Sequence, residues 1–181
     1  MTRLVLINGA PGSGKSTLAH SLAQDRAMTL ALDIDWLKHC LGRWEDDPSA
    51  SGLHARRLTL ALAKEHLQAG CDVVVGQYLA RPAFIEELER LAGLVGAQFF
   101  EIVLEVDPPT LARRLAQRID KPGRPEHEVN NRLVRPDQAV SLVQSLESLR
   151  PLRPCASWVD AAGSLSATLA HVRAVLHAPT P

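Results

Sequence analysis

The chain has 181 residues, 46% of them hydrophobic, which suits one compact domain with a sizeable core. Twenty basic residues balance twenty acidic ones, so no global field draws the molecule to nucleic acid or to an anionic membrane. Three widely spaced cysteines with no C-x-x-C pair indicate neither a zinc site nor a disulfide framework, and seven scattered histidines lack ligand spacing.

Helical and strand patterns alternate along the chain. Leu4–Asn8 reads as a buried strand and Lys15–Asp25 as a helix, with Gly9-Ala10-Pro11-Gly12-Ser13-Gly14-Lys15-Ser16 between them. This G-x-x-x-x-G-K-S run in a strand-to-helix setting is a phosphate-binding loop. Glycines let successive N–H groups point inward around phosphate oxygens, and the start of the helix adds a dipole favourable to anions. Lys15 is positioned to reach the β- and γ-phosphates and Ser16 to bind Mg²⁺, with Thr17 completing the nucleotide-binding run. The chain enters this loop at once, so no removable signal peptide is expected. No apolar run reaches about 18 residues, and a soluble cytoplasmic protein is expected.

Met28–Leu32 is a second short strand, and Trp36–Leu41 a short helix. Between them lies Asp33-Ile34-Asp35, at the strand's carboxyl end on the rim of the phosphate loop. Alternation by two along extended chain puts both carboxylates on one side. A carboxylate there can take the proton of a substrate hydroxyl attacking the γ-phosphate, while either Asp can also cap the next helix. Cys40–Pro48 is rich in loop formers, and its Arg43 and Trp44 are candidates for the acceptor pocket, opposite Tyr78 and Arg81.

Leu53–Ala69 is helical and stops at Gly70; Val73–Val75 is a buried strand running into Gly76-Gln77. Many P-loop NTPases carry a metal-associated Asp at the end of this strand. Gln77 is neutral, so Asp33 is the candidate to support the metal instead, and Gln77 is a candidate substrate contact. Pro82–Leu94 is helical, Gln98–Val106 a strand, and Pro108–Ile119 a helix bearing Arg114 and Arg118 on one side. A Pro/Gly loop with Lys121 and Arg124 follows, then a helix over Asp137–Leu149. Ala156–Val159 is the last strand and Ser164–Leu176 the last helix, capped by Ser164; Ala178–Pro181 reads as a loose tail. Cys71 and Cys155, beside apolar runs, are expected as small buried hydrophobes. Strands separated by helices imply an α/β sandwich: a parallel sheet of about five strands with helices on both faces.

Gly9–Thr17 together with Asp33-Ile34-Asp35-Trp36-Leu37-Lys38 resembles the P-loop kinases that include polynucleotide 5′-hydroxyl kinase, chloramphenicol phosphotransferase, gluconate kinase and the zeta toxins. The likeness covers most of the chain in element order, with these two motifs as its strong matches. It implies a single P-loop kinase domain over residues 1–177 with a small helical lid over about 119–136. It implies ATP and Mg²⁺ as cofactors, the absence of N-K-x-D favouring ATP over GTP. Asp35 corresponds to the carboxylate that activates the hydroxyl. Lys38 stands where polynucleotide kinases carry Arg, which keeps a basic substrate contact but loses a bidentate one. Arg114 and Arg118 are placed near the nucleotide, Arg118 and Arg124 near the transferring phosphoryl group, and Trp158–Gly163 around adenine. The expected acceptor is a small-molecule hydroxyl; a polynucleotide 5′-hydroxyl and a non-catalytic nucleotide switch are the alternatives, and no membrane partner is implied.

Overall fold

The computed structural model describes residues 1–120 and 134–178. Five strands form one sheet: β1 (Arg3–Gly9), β2 (Leu30–Leu32), β3 (Val73–Gln77), β4 (Gln98–Glu105) and β5 (Ser157–Asp160), in the order β2-β3-β1-β4-β5. Every pairing is parallel, with Leu4 opposite Val73 and Phe99 in the centre. The helices are α1 (Lys15–Ala23), α2 (Ile34–His39), α3 (Pro48–Gln68), α4 (Ala83–Val95), α5 (Pro108–Asp120), α6 (Ala139–Glu147) and α7 (Leu165–His177).

This order fixes the layers. The crossover from β1 to β2 runs in one direction along the sheet, whereas those from β2 to β3, β3 to β4 and β4 to β5 run in the other. Right-handed crossovers therefore put α1 on one face and α3, α4, α5 and α6 on the opposite one. Contacts of α1 with α7, of α3 with α4 and of α5 with α6 follow that division. Central strands covered on both faces need apolar side chains at every position, and Leu4–Ile7, Val73–Val75 and Ile102–Leu104 are all buried. The connection leaving β1 goes to one face while those leaving its neighbours β3 and β4 go to the other. That divergence opens a crevice at the carboxyl end of β1, where ligands bind in such sheets.

Several boundaries differ from the sequence reading. Strand β2 begins at Leu30, because Met28 is in the left-handed region (φ 61°) and breaks the extended run. Helix α2 starts at Ile34 because Asp33 caps it, accepting from the Asp35 and Trp36 N–H groups at 3.0 and 3.2 Å. Helix α3 starts five residues ahead of expectation, at Pro48, with Asp47 accepting from Ser49 and Ala50. Ser164 caps α7 as expected, accepting from the Ala167 N–H. Cys155 is exposed and Cys71 only partly covered, so neither is the buried hydrophobe expected; both lie in connecting segments outside the strands. No helix among the described residues is long and apolar enough to cross a membrane.

Candidate active site

The loop from Gly9 to Ser16 occupies the crevice. Gly12 and Gly14 are in the left-handed region, at φ 90° and 95°, which L side chains rarely adopt. A Cβ on Gly14 would meet nothing within 4 Å, so this part of the loop faces open space. Gly9 is constrained differently: a Cβ there would lie 2.5 Å from Ser13 Oγ and 3.1 Å from Leu104 Cβ. Helices α2, α3 and α7 have side-chain caps, whereas α1, α4 and α6 have none; of these three, α1 alone begins at a glycine in the left-handed region, Gly14. Its first N–H groups have no side-chain acceptor, as an anion-binding helix start requires.

Lys15 opens α1. Its ammonium is partly buried and donates to the Ala10 carbonyl at a long 3.3 Å. Burial lowers its pKa to about 8, opposed by the carboxylates of Asp35 and Asp33, which both act on it. Ser16 Oγ donates to Asp33 Oδ2 at 3.0 Å, while Asp33 Oδ1 caps α2. Asp33 therefore joins the phosphate loop to the helix that carries Asp35. The two carboxylates do lie together, but not through strand alternation: residues 34–39 are helical, and Asp35 stands in the first turn above its cap.

Arg118, near the end of α5, is half-buried; burial lowers its pKa and Asp35 opposes that. Lys15, Asp35 and Arg118 thus form one electrostatic group drawn from three elements. Arg114, one turn earlier, donates from Nη2 to the Ala162 and Gly163 carbonyls at 2.9 and 3.0 Å, which ties α5 to the turn after β5. A cavity of about 230 Å³ lies between that turn and the phosphate loop, lined by Gly12, Gly14, Thr17, Arg114 and Gly163 among others. A second, of about 360 Å³, lies between Ala10, the end of β4, α6 and Trp158, whose ring carries the Arg150 guanidinium 3.8 Å from its centre. A Cβ on Gly163 would meet nothing within 4 Å, so its role in the fold is its carbonyl, not close packing.

On the acceptor side, Lys38 Nζ sits 4.7 Å from the centre of the Trp44 ring, and His39 packs edge-on against the same ring at 4.4 Å. His39 Nδ1 is 2.6 Å from the Asp35 carbonyl, so this cluster buttresses α2 where Asp35 stands. Arg43 is apart from it: in the left-handed region, 87% exposed and paired with Asp46 at 2.5 Å. Gln77 ends β3 beside Asn8, its register partner at the end of β1. Arg124, Lys121 and most of the expected lid lie outside the described residues, as does the tail beyond Ala178.

Sequence reasoning did not single out Asn8. It is fully buried; its Nδ2 donates to the Leu79 carbonyl at 2.8 Å, and its Oδ1 accepts from the N–H groups of Gly9 and Leu79 at 2.8 and 2.9 Å. The signal was present: one polar residue closes an otherwise apolar strand.

A parallel sheet of order 2-3-1-4-5 with a glycine-rich loop after its central strand defines a P-loop NTPase α/β fold. The chain belongs to the AAA_33 family, described as an AAA domain, whose model matches residues 4–136. No curated protein matches the sequence. Among solved structures it is similar to a gluconokinase from Sinorhizobium meliloti 1021 (20% identity over 96% of this chain and 94% of that one, TM-score 0.59). It is also similar to shikimate kinase from Bacteroides thetaiotaomicron (20% identity, 98% and 99% covered, TM-score 0.65). A third is the tunicamycin resistance protein of Deinococcus radiodurans (18% identity, 99% and 100% covered, TM-score 0.65).

Proposed function

We propose that this protein is a cytoplasmic kinase that moves the γ-phosphate of ATP to a hydroxyl of a small molecule such as an antibiotic, sugar or metabolite. The observation that carries this reading is the grouping of Asp35 with Lys15 and Arg118, a carboxylate beside the phosphate-loop lysine. A loop that only holds nucleotide has no need of that acid. The main-chain amides of Gly12, Gly14, Lys15, Ser16 and Thr17 surround the phosphates, with Gly9, Ala10, Pro11 and Ser13 shaping the turn through the Gly9 bond to Asn8 and the Ser13 bond to the Ala10 carbonyl, and with Lys15 neutralising charge. Arg114 borders the nucleoside cavity, and Arg118 and Arg124 stabilise charge on the transferring group.

The residues present fit Mg²⁺. Ser16 donates its proton to Asp33, which leaves hydroxyl lone pairs for a metal, and a hard ion of this kind takes few protein ligands beside phosphate and water oxygens. Bound there, Mg²⁺ supplies charge neutralisation and in-line geometry. Asp35 accepts the acceptor's hydroxyl proton. Lys38 and Gln77 flank the acceptor, Lys38 through the Trp44 cluster; Arg43, exposed and paired with Asp46, reaches it only by leaving that pair. The names of the gluconokinase and shikimate kinase neighbours support a small polar acceptor, and the zero net charge weighs against a nucleic acid.

The test is transfer of labelled γ-phosphate from ATP to sugars, aminoglycosides, chloramphenicol-like compounds, nucleosides and a 5′-hydroxyl oligonucleotide. A labelled small molecule from the wild type, and none from Lys15→Ala, is the expected result. Label appearing only on the oligonucleotide identifies a polynucleotide kinase. Label appearing only as inorganic phosphate, whatever acceptor is offered, overturns the kinase reading.

A further inference from the structure

The side chain of Asn8 does what a strand does. Register pairs Asn8 with Gln77, the last residue of β3. Beyond that point the main-chain ladder between β1 and β3 ends, and β1 turns into the phosphate loop one residue later, after Gly9. The Asn8 amide then bonds both the N–H and the carbonyl of Leu79, two residues past the end of β3, and so continues the pairing by one rung made of side chain. With the same oxygen it accepts from Gly9 N–H, the first amide of the loop. All three bonds are buried, and the two to Leu79 join positions 71 residues apart in sequence.

The partner segment, residues 77–82, leaves β3 between β2 and β1, which is between the Asp35 side of the site and the phosphate loop. Its Tyr78 hydroxyl lies 2.6 Å from Ser145 Oγ on α6; Ser145 itself donates to the Leu142 carbonyl, so the phenol is the donor to Ser145. One amide therefore ties the first residue of the loop to a segment that also holds α6.

We propose that Asn8 is a positioning residue of phosphotransfer: it fixes the segment 77–82, with Gln77, to the phosphate loop and so couples nucleotide occupancy to order on the acceptor side. This rests on the nucleotide-binding reading above. An apolar residue of similar size would fill the same space without the coupling, so the amide is what the proposal turns on.

Hydrogen exchange resolved along the chain, with and without Mg-ADP, tests it in the full-length protein. In the wild type, Mg-ADP slows exchange in residues 9–16 and also in 78–80. Asn8→Ser keeps an oxygen near the Gly9 N–H but is too short to reach Leu79, and Asn8→Leu restores volume without polarity. In either variant that folds, protection of 9–16 persists while that of 78–80 falls by about fivefold or more, the lower range of coupling between sites. A merely structural Asn8 lowers the melting temperature and leaves the ADP response of 78–80 intact; that result overturns the proposal. So does a wild type in which ADP protects the loop and not 78–80, whatever the variants do. Absence of any ADP protection at 9–16 in the wild type sinks the nucleotide reading first, and the coupling with it.

Discussion

Lys15 brings the conflict between stability and function down to one atom. Its ammonium is partly desolvated before any phosphate arrives, and that desolvation holds its pKa near 8 against an ordinary 10.5. Between those two values the folded protein binds fewer protons at this site than the unfolded chain, so stability rises with pH across that window. Below it the charged amine costs the apo fold up to about 3 kcal/mol. Lys15→Met therefore stabilises the apo protein at neutral pH, and the gap to wild type closes towards pH 10; urea denaturation at the two pH values reads it. A triphosphate reverses the balance by favouring the charged amine. Nucleotide binding at about pH 9 then takes up most of one proton, seen by calorimetry in buffers of different ionisation enthalpy, and Lys15→Met abolishes the uptake. Asp35 raises the Lys15 pKa, so Asp35→Asn moves the onset of proton uptake to lower pH. As the proposed base, Asp35 is worth about 10²–10⁴ in turnover, with ATP affinity little changed in Asp35→Ala; steady-state rates with the acceptor identified by the transfer screen measure it, and unchanged turnover removes Asp35 from the mechanism.

At the scale of elements, caps decided where sequence reading succeeded. Ser164 stands directly before a periodic apolar run, and α7 was legible from it. Helix α3 was legible only in part, because its first turn, Pro48-Ser49-Ala50-Ser51-Gly52, has the composition of a loop. Asp47 makes it helical by accepting from two N–H groups, and Pro48 at the first position lacks the N–H that would otherwise need a partner. Ser51 then closes the turn by sharing its one hydroxyl proton between the carbonyls of Trp44 and Pro48, at 3.0 and 3.2 Å, a contact that depends on the preceding short turn being in place. Asp47→Ala removes both capping bonds and costs about 1 kcal/mol. Because Ser51 holds Trp44, loosening that first turn also loosens the ring under Lys38; a drop in melting temperature with a red-shifted tryptophan emission is the expected signature. Asp33 illustrates the opposite case: capping and a metal-supporting role were both readable as alternatives, and its two oxygens serve the α2 cap and Ser16 at once.

Across the whole molecule, the phosphate loop and the parallel sheet were legible because each rests on local pattern, whereas Asp35, read as part of an extended run, stands in the first turn of α2. The ties that hold them in register were not legible, since they join residues far apart: Asn8 to Leu79, Arg114 to Ala162, Arg153 to Glu101. The last of these spans the back of the sheet. Arg153, before β5, donates from Nε to Glu101 in the middle of β4 at 2.8 Å and pairs with Glu89 on α4 at 2.8 Å. Burial raises the Glu101 pKa, with Arg153 opposing, and only 4% of the Glu101 side chain is exposed. Removing the cation therefore strands a charge in the core. Arg153→Met is expected to cost about 3–5 kcal/mol at neutral pH. In that variant the folded-state pKa of Glu101 rises further, so the folded protein holds a proton that the unfolded chain releases just above its ordinary 4.5. Stability of the variant consequently falls as pH rises through that window, and the penalty shrinks on acidification towards 4.5. Adding Glu101→Gln removes the stranded charge and recovers most of the loss at neutral pH. Urea denaturation of the single and double variants at about pH 5 and pH 8 checks both effects. A loss independent of pH and unrelieved by Glu101→Gln makes the Arg153 contribution one of packing, with the ion pair incidental to how β4, α4 and β5 are held together.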